Sequence, residues 1–423
     1  MSLTGEKMEH IYLGRQPIIG LDGELYAYEV LYRDKNKSSN ISDKRYASAS
    51  VISNILNKFG KRALLGNRMA FVKIDRKFLM QDLIFSIPSE FFIFSILDDV
   101  IFDERAIERV EQLIDRGYEI AINDTVLNNK QVENITPILD KLSYLKISFD
   151  NEISENTKAL IAHLKANGVK IVGTKIERNQ DYSLAKKLGC EYFQGYFFAE
   201  PCIVENAKFD ADRLSIIRLC DLLMRDTNID ELTSEFEKNH AVTVQLLQFV
   251  NSGAFHFRKR ISSIHHILML IGRRPLAQWL MLMIYSKSIS RGKDSSPLML
   301  MVKNRTELMQ SLLKKLDPDV RSNMLGEAYF VGVLSLIDTI FGVELKKVLE
   351  ELHISKDVSD ALLENSGTLG EIYTLVKKIE AFDTEAINNF ALKHNLSHEA
   401  MDEIILGSIE EVNNFENSFA IAN

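Results

Sequence analysis

The chain has 423 residues, 46% of them hydrophobic and 26% charged, with a net charge of −8 and three cysteines, Cys190, Cys202 and Cys220. That length allows two to three domains with real cores, and the composition excludes a disordered chain. The acidic balance argues against non-specific nucleic-acid binding by the whole chain, and few, unpatterned cysteines point to a reducing compartment without a disulfide framework.

The N-terminus MSLTGEKMEH is polar and reads as no signal peptide. No apolar run reaches the roughly 18 residues of a membrane span, so a cytoplasmic protein that does not engage a membrane is expected. Residues 11–33 then read as two short strands around the turn pair Asp22-Gly23, because glycine accepts the positive φ that hairpin turns need. Along the second strand, Leu25, Ala27, Glu29, Leu31 and Arg33 fall on one face. A carboxylate facing inward, such as Glu29, needs a metal, a cation or a hydrogen-bond donor.

From residue 45 to residue 200 helical and strand patterns alternate. Helical spacing covers Ala47 to Lys58, Glu104 to Arg116, Glu155 to Asn167 and Gln180 to Leu188, and a helix over Lys130 to Leu142 is interrupted by Pro137. Apolar strands are expected at 69–74, 91–97, 119–123, 144–148, 170–173 and 191–198. Strands buried on both faces and separated by helices predict a parallel sheet, and this many units predicts a barrel. The opening hairpin implies one strand that departs from the parallel pattern. A barrel places its site at the carboxyl ends of its strands. There stand Glu29, Lys73, Ser95, Asn123 with Asp124, Lys146, Thr174 with Glu177, and Gln194. Any one of them alone is an ordinary polar strand end; their recurrence in successive units marks the set.

Gln16-Pro17-Ile18, Glu29-Val30-Leu31-Tyr32-Arg33 and the closing run LGCEYFQGYFFAEP over 188–201 resemble the EAL family of cyclic di-GMP phosphodiesterase domains. The resemblance implies a TIM-like (β/α) barrel with an antiparallel opening strand over 1–203. It also implies a remnant site of Glu29, Asp124, Lys146, Glu177 and Gln194, with Arg33 as a phosphate contact. At four positions the chain departs from the family pattern. Lys73 stands for a metal-binding Asn, Ser95 for a ligand Glu, Asn123 for the first Asp of a pair, and Thr174 for the Glu thought to act as base. Two-metal phosphodiester hydrolysis needs several carboxylates, and a cation at a ligand position repels a metal. The expectation is therefore a degenerate site: no enzyme, no cofactor, and loss of Mg²⁺ or Mn²⁺ binding. Lys73 is expected to stand where a metal would and to pair with Glu29, Asp124 or both.

Beyond Pro201 nearly every segment has helical periodicity, as in Leu214, Ile217, Cys220, Leu222 and Leu223. Ser296-Pro297 and Asp317-Pro318 each read as a helix start, and Glu410 to Asn423 as a frayed tail. The turn VNSGAF over 250–255, the following I-S-S-I and Leu270-Ile271-Gly272 resemble the HDOD family, a non-catalytic relative of HD phosphohydrolases. In that alignment Ser335-Leu336 stand where a His-Asp dyad would be. The basic residues Arg258-Lys259-Arg260 and Arg273-Arg274 read as a solvated loop or a surface for an acidic protein, with no nucleic acid expected.

Together these give a helical HD-related domain over 204–423 and a bacterial signalling protein, as tandem EAL–HDOD chains imply. It is expected to act through a protein partner held by the helical domain, in motility or biofilm control, with a homodimer allowed by resemblance. Cyclic di-GMP is ranked below the protein partner as a ligand. The alternatives are a cyclic di-GMP sensor without turnover and a weak phosphodiesterase.

Overall fold

The Asp22-Gly23 pair turns the chain between β1 (Ile11–Gly20) and β2 (Leu25–Asp34), with Gly23 at φ 80°. Six strands follow: β3 (Met69–Ile74), β4 (Phe92–Leu97), β5 (Glu119–Thr125), β6 (Tyr144–Ser148), β7 (Lys170–Thr174) and β8 (Tyr192–Gln194). They close into a barrel in sequence order. β1 runs antiparallel to both β2 and β8, and every other neighbouring pair is parallel. The computed structural model describes residues 11–34, 65–125, 129–149, 153, 155–196, 211–225, 227–250, 263–286, 297–341, 344–352 and 354–420. The expected helix at Ala47 to Lys58, the VNSGAF turn beyond Val250 and the basic run Arg258 to Arg260 lie outside them.

Alternation along each strand fills the interior in layers. Ile18, Ala27, Phe71, Ile93, Ala121, Tyr144 and Val172 form one buried apolar layer. Two residues further toward the carboxyl ends of the parallel strands, the inward positions become polar. At the opposite end the Tyr144 hydroxyl lies 2.5 Å from that of Tyr26 and 3.3 Å from Lys170 Nζ. Burial first, and then the bond to Tyr26, raises the Tyr144 pKa above the ordinary phenol value. The outer helices follow their local signals. Asp103 Oδ1 caps Glu104–Asp115 by accepting from Ala106 N at 3.0 Å. Pro137 divides the next segment into an α-helix, Asn129–Ile135, and a 3₁₀ turn, Thr136–Lys141.

The last strand is shorter than its apolar run suggests, Tyr192–Gln194 instead of 191–198. Gly195 ends it at φ 149°, and a Cβ there would lie 1.9 Å from the Ile176 carbonyl oxygen. Gly195→Ala is therefore expected to destabilise the barrel by about 2 kcal/mol or more, read as faster amide exchange in β7 and β8. Unchanged exchange there would contradict the clash.

The chain divides into two units: Met1–Glu200 with Phe382–Leu406, and Pro201–Ala381 with Gly407–Asn423. Phe382–Leu406 thus falls in the same unit as residues 1–200. The Phe382 ring approaches so closely that a Cβ on Gly14 of β1 would lie 2.7 Å from it, and Phe382 itself has φ 55°. No local pattern announces such a contact.

In the second unit the helix Pro297–Leu316 packs against Ser322–Leu334, and Ala211–Met224 against Arg273–Ser286. Pro297 opens its helix as expected. Asp317-Pro318 does not: Asp317 Oδ1 accepts from Asp319 N at 3.2 Å in a turn, and the next helix begins at Ser322. The expected frayed tail is part of a helix, His398–Ala420, because Val412 and Phe415 are buried. Cys190 and Cys220 are free and buried, and burial pushes the Cys190 thiol up to about 12. Among the described residues no single helix is long and apolar enough to cross a membrane.

Candidate active site at the carboxyl end of the barrel

The hairpin register sets Gln16 opposite Glu29, and the closure of β1 on β8 sets Ile18 opposite Gln194. These pairings bring Gln16, Glu29 and Gln194 together in the polar layer. Gln194 Nε2 donates to Gln16 Oε1 at 2.8 Å and to Glu29 Oε2 at 2.7 Å. From across the barrel Lys146 Nζ donates to Glu29 Oε1. Lys73 Nζ stands 3.4 Å from Glu29 Oε2. The carboxylate is 2% exposed and Lys146 0%, whereas Lys73 is 25% exposed. Buried charge is tolerated only when paired and hydrogen-bonded, and among the described residues the Glu29 carboxylate pairs with both ammonium groups.

The expected pairing of Lys73 with Glu29 is present. The closer partner is Lys146, expected in the same remnant site but not as the partner of Glu29. Gln16 was missed, although the register across an Asp-Gly hairpin was its signal. Ser95 and Asn123 lie buried in the same layer, and Ser95 sits beside Lys73 in the strand register. Thr174 is buried and its hydroxyl donates to the Ile147 carbonyl at 3.2 Å. Glu177 is exposed in the segment after β7 and is not gathered into this layer. Asp124 and Arg33 lie on β5 and β2 with side chains outside the described residues.

Ser95 Oγ, Asn123 Oδ1 and Gln194 Oε1 are buried without a hydrogen-bond partner among the described residues. Such atoms ordinarily find a donor, a water or an ion. Oxygen donors in one layer with a carboxylate suit a hard divalent cation. Among the described residues the fit is to a site with one carboxylate and neutral oxygens. Among the described residues no group of three or more His, Cys, Asp and Glu converges as a metal site. In the second unit the position expected for a His-Asp dyad is neighboured by an ion pair: Arg305 holds Glu380 and also donates to the Ser335 carbonyl at 3.3 Å.

The EAL domain family model matches residues 67–201 and the HDOD domain family model residues 214–357. The uncharacterized protein YuxH of Bacillus subtilis (strain 168) is 26% identical over 409 residues, covering 96% of this chain and 98% of that protein. The cyclic di-GMP phosphodiesterase CdgJ of Vibrio cholerae serotype O1 is 23% identical over 396 residues, covering 92% of this chain and 89% of that protein. Among solved structures, an EAL domain protein from Listeria monocytogenes EGD-e shares 15% identity with a TM-score of 0.36, over 45% of this chain and 87% of that one.

The relationship to CdgJ overturns the expectation that the chain is not an enzyme. A relative aligned over 92% of it is a named cyclic di-GMP phosphodiesterase, so the replacements at Lys73, Ser95, Asn123 and Thr174 are no longer grounds for placing the chain outside that class. The expected absence of a cofactor, with Mg²⁺ and Mn²⁺ binding lost, falls with it, because EAL phosphodiesterases use those ions.

Proposed function

We propose that this chain, an EAL domain followed by an HDOD domain, is a signalling protein that hydrolyses cyclic di-GMP at the carboxyl end of its barrel. The observation that carries the reading is Glu29, held inward by Gln194 and Lys146 in one layer with the partnerless oxygens of Ser95 and Asn123. In this reading Glu29, Asn123 and Ser95 would hold a divalent ion. The chemistry such an ion supplies when bound is polarisation of a phosphoryl oxygen and activation of water. Lys146, sealed from solvent, fixes the Glu29 carboxylate. Gln194 ties that carboxylate to Gln16 on the opening strand, so the ligand is positioned before substrate arrives. Arg33, on the same strand as Glu29, is suited to a phosphate because a guanidinium binds one through two donors. The helical domain carries the regulatory side through protein contacts, in a setting such as motility or biofilm control.

The test is incubation of the full chain with cyclic di-GMP and Mn²⁺ or Mg²⁺, with chromatography of the products. Metal-dependent formation of a linear dinucleotide is expected, reduced at least a hundredfold by Glu29→Gln. Turnover no faster than that of Glu29→Gln would overturn the reading.

A further inference from the structure

We propose that Lys73 is an internal competitor of the divalent cation, an ammonium that occupies the Glu29 carboxylate until a metal displaces it. This rests on the reading of Glu29 as a metal-holding carboxylate.

Two ammonium groups share Glu29, and they differ in the one property that matters for exchange. Lys146 is wholly buried in the same layer and bonded to Glu29 Oε1, so its charge has no route to water. Lys73 is a quarter exposed, on β3 one residue before the strand ends at Ile74, and its Nζ is 3.4 Å from Glu29 Oε2. A flexible four-carbon stem lets that ammonium reach solvent without moving the backbone. Its strand neighbour Ser95 carries an oxygen without a hydrogen-bond partner among the described residues, so the ammonium stands at the edge of the donor set. A cation entering the layer must therefore meet Lys73 at the carboxylate. Like charges a few ångströms apart, in a site of low effective dielectric, repel strongly. Each binding event then carries the free energy of displacing Lys73 from Glu29, and the affinity of the site is set lower by that amount. The result is a barrel whose metal site opens only at raised metal concentration, a property carried by one side chain.

The experiment is a Mn²⁺ titration of the full chain without dinucleotide, following the free-ion signal by electron paramagnetic resonance. Lys73→Met keeps the length of the side chain and removes its charge, and Lys73→Gln serves as a second neutral variant should the first fold poorly, as judged by circular dichroism. Both are expected to bind Mn²⁺ at least tenfold more tightly than the native chain. Lys73→Arg, which keeps the charge, is expected to stay within threefold of native, and adding Glu29→Gln to Lys73→Met should remove the gain. Neutral variants with native Mn²⁺ affinity, or a gain that survives Glu29→Gln, would overturn the proposal. Because no dinucleotide is present, failure here leaves the hydrolysis reading standing. Tighter Mn²⁺ binding without hydrolysis would count against hydrolysis alone.

Discussion

Glu29→Leu is expected to destabilise the barrel by about 3 to 5 kcal/mol, the cost of leaving a buried ammonium without its counter-charge. Lys146 is 0% exposed and its Nζ is bonded to Glu29 Oε1, so removal of the carboxylate strands a charge that has no path to water. Lys73 contributes far less to the loss, because its exposure lets it reach solvent. The double variant Glu29→Leu with Lys146→Met should recover most of the stability, since a well-packed apolar pair replaces a buried ion pair at little net cost. The readout must belong to the barrel, and the single tryptophan does not: Trp279 lies in the second unit. Amide exchange in β2 and β6 supplies it. A single variant within 1 kcal/mol of native, or a double variant as unstable as the single one, would show that Lys146 is not held charged by Glu29.

Arg305→Met is expected to cost a similar amount, about 3 to 5 kcal/mol, in the other unit. Both ends of this pair are nearly sealed, 7% exposed for Arg305 and 10% for Glu380, with Nε and Nη2 each 2.8 Å from a carboxylate oxygen. Burial opposes the charge on Arg305, and the facing Glu380 more than offsets it, raising the pKa. Truncating the guanidinium removes two donors from the nearly sealed Glu380 carboxylate and one from the Ser335 carbonyl. Replacing both, Arg305→Met with Glu380→Leu, is expected to return stability to within about 1 kcal/mol of native. Here Trp279 fluorescence during urea unfolding is the right probe, being 7% exposed within this unit. The Trp279 signal is read as the unfolding of the unit that holds it.

Local signals carried much of the barrel. Asp22-Gly23, the strand periodicities and the helix stops at Gly117 and Gly189 correspond to the elements observed, because φ preference and alternation act within a few residues. The inward layer was equally legible: strand-end positions recurring in successive units picked out Glu29, Lys73, Ser95, Asn123, Lys146, Thr174 and Gln194 together. What each side chain does there was not. Lys146 belongs to the same expected site as Glu29 but its pairing with that carboxylate is not legible, and Glu177 is expected in the site although it is exposed. Distances across a barrel depend on closure and register, which no short window contains. The inference from missing carboxylates to missing catalysis also failed, since ligand counting weighs residues against a pattern and a phosphodiesterase relative spans nearly the whole chain.

The amino-acid sequence by itself determined the order of elements, the hairpin that opens the barrel, the change to helices after Pro201 and the identity of the polar layer. These follow from dihedral preferences and hydrophobic period, which are local. Only the tertiary structure decided that Lys146 and Lys73 converge on one carboxylate from β6 and β3. It alone decided that Phe382–Leu406 groups with residues 1–200 and that the Phe382 ring lies close to Gly14. In both cases the partners are far apart in sequence, and their meeting is set by barrel closure and packing, which act on the folded chain as a whole.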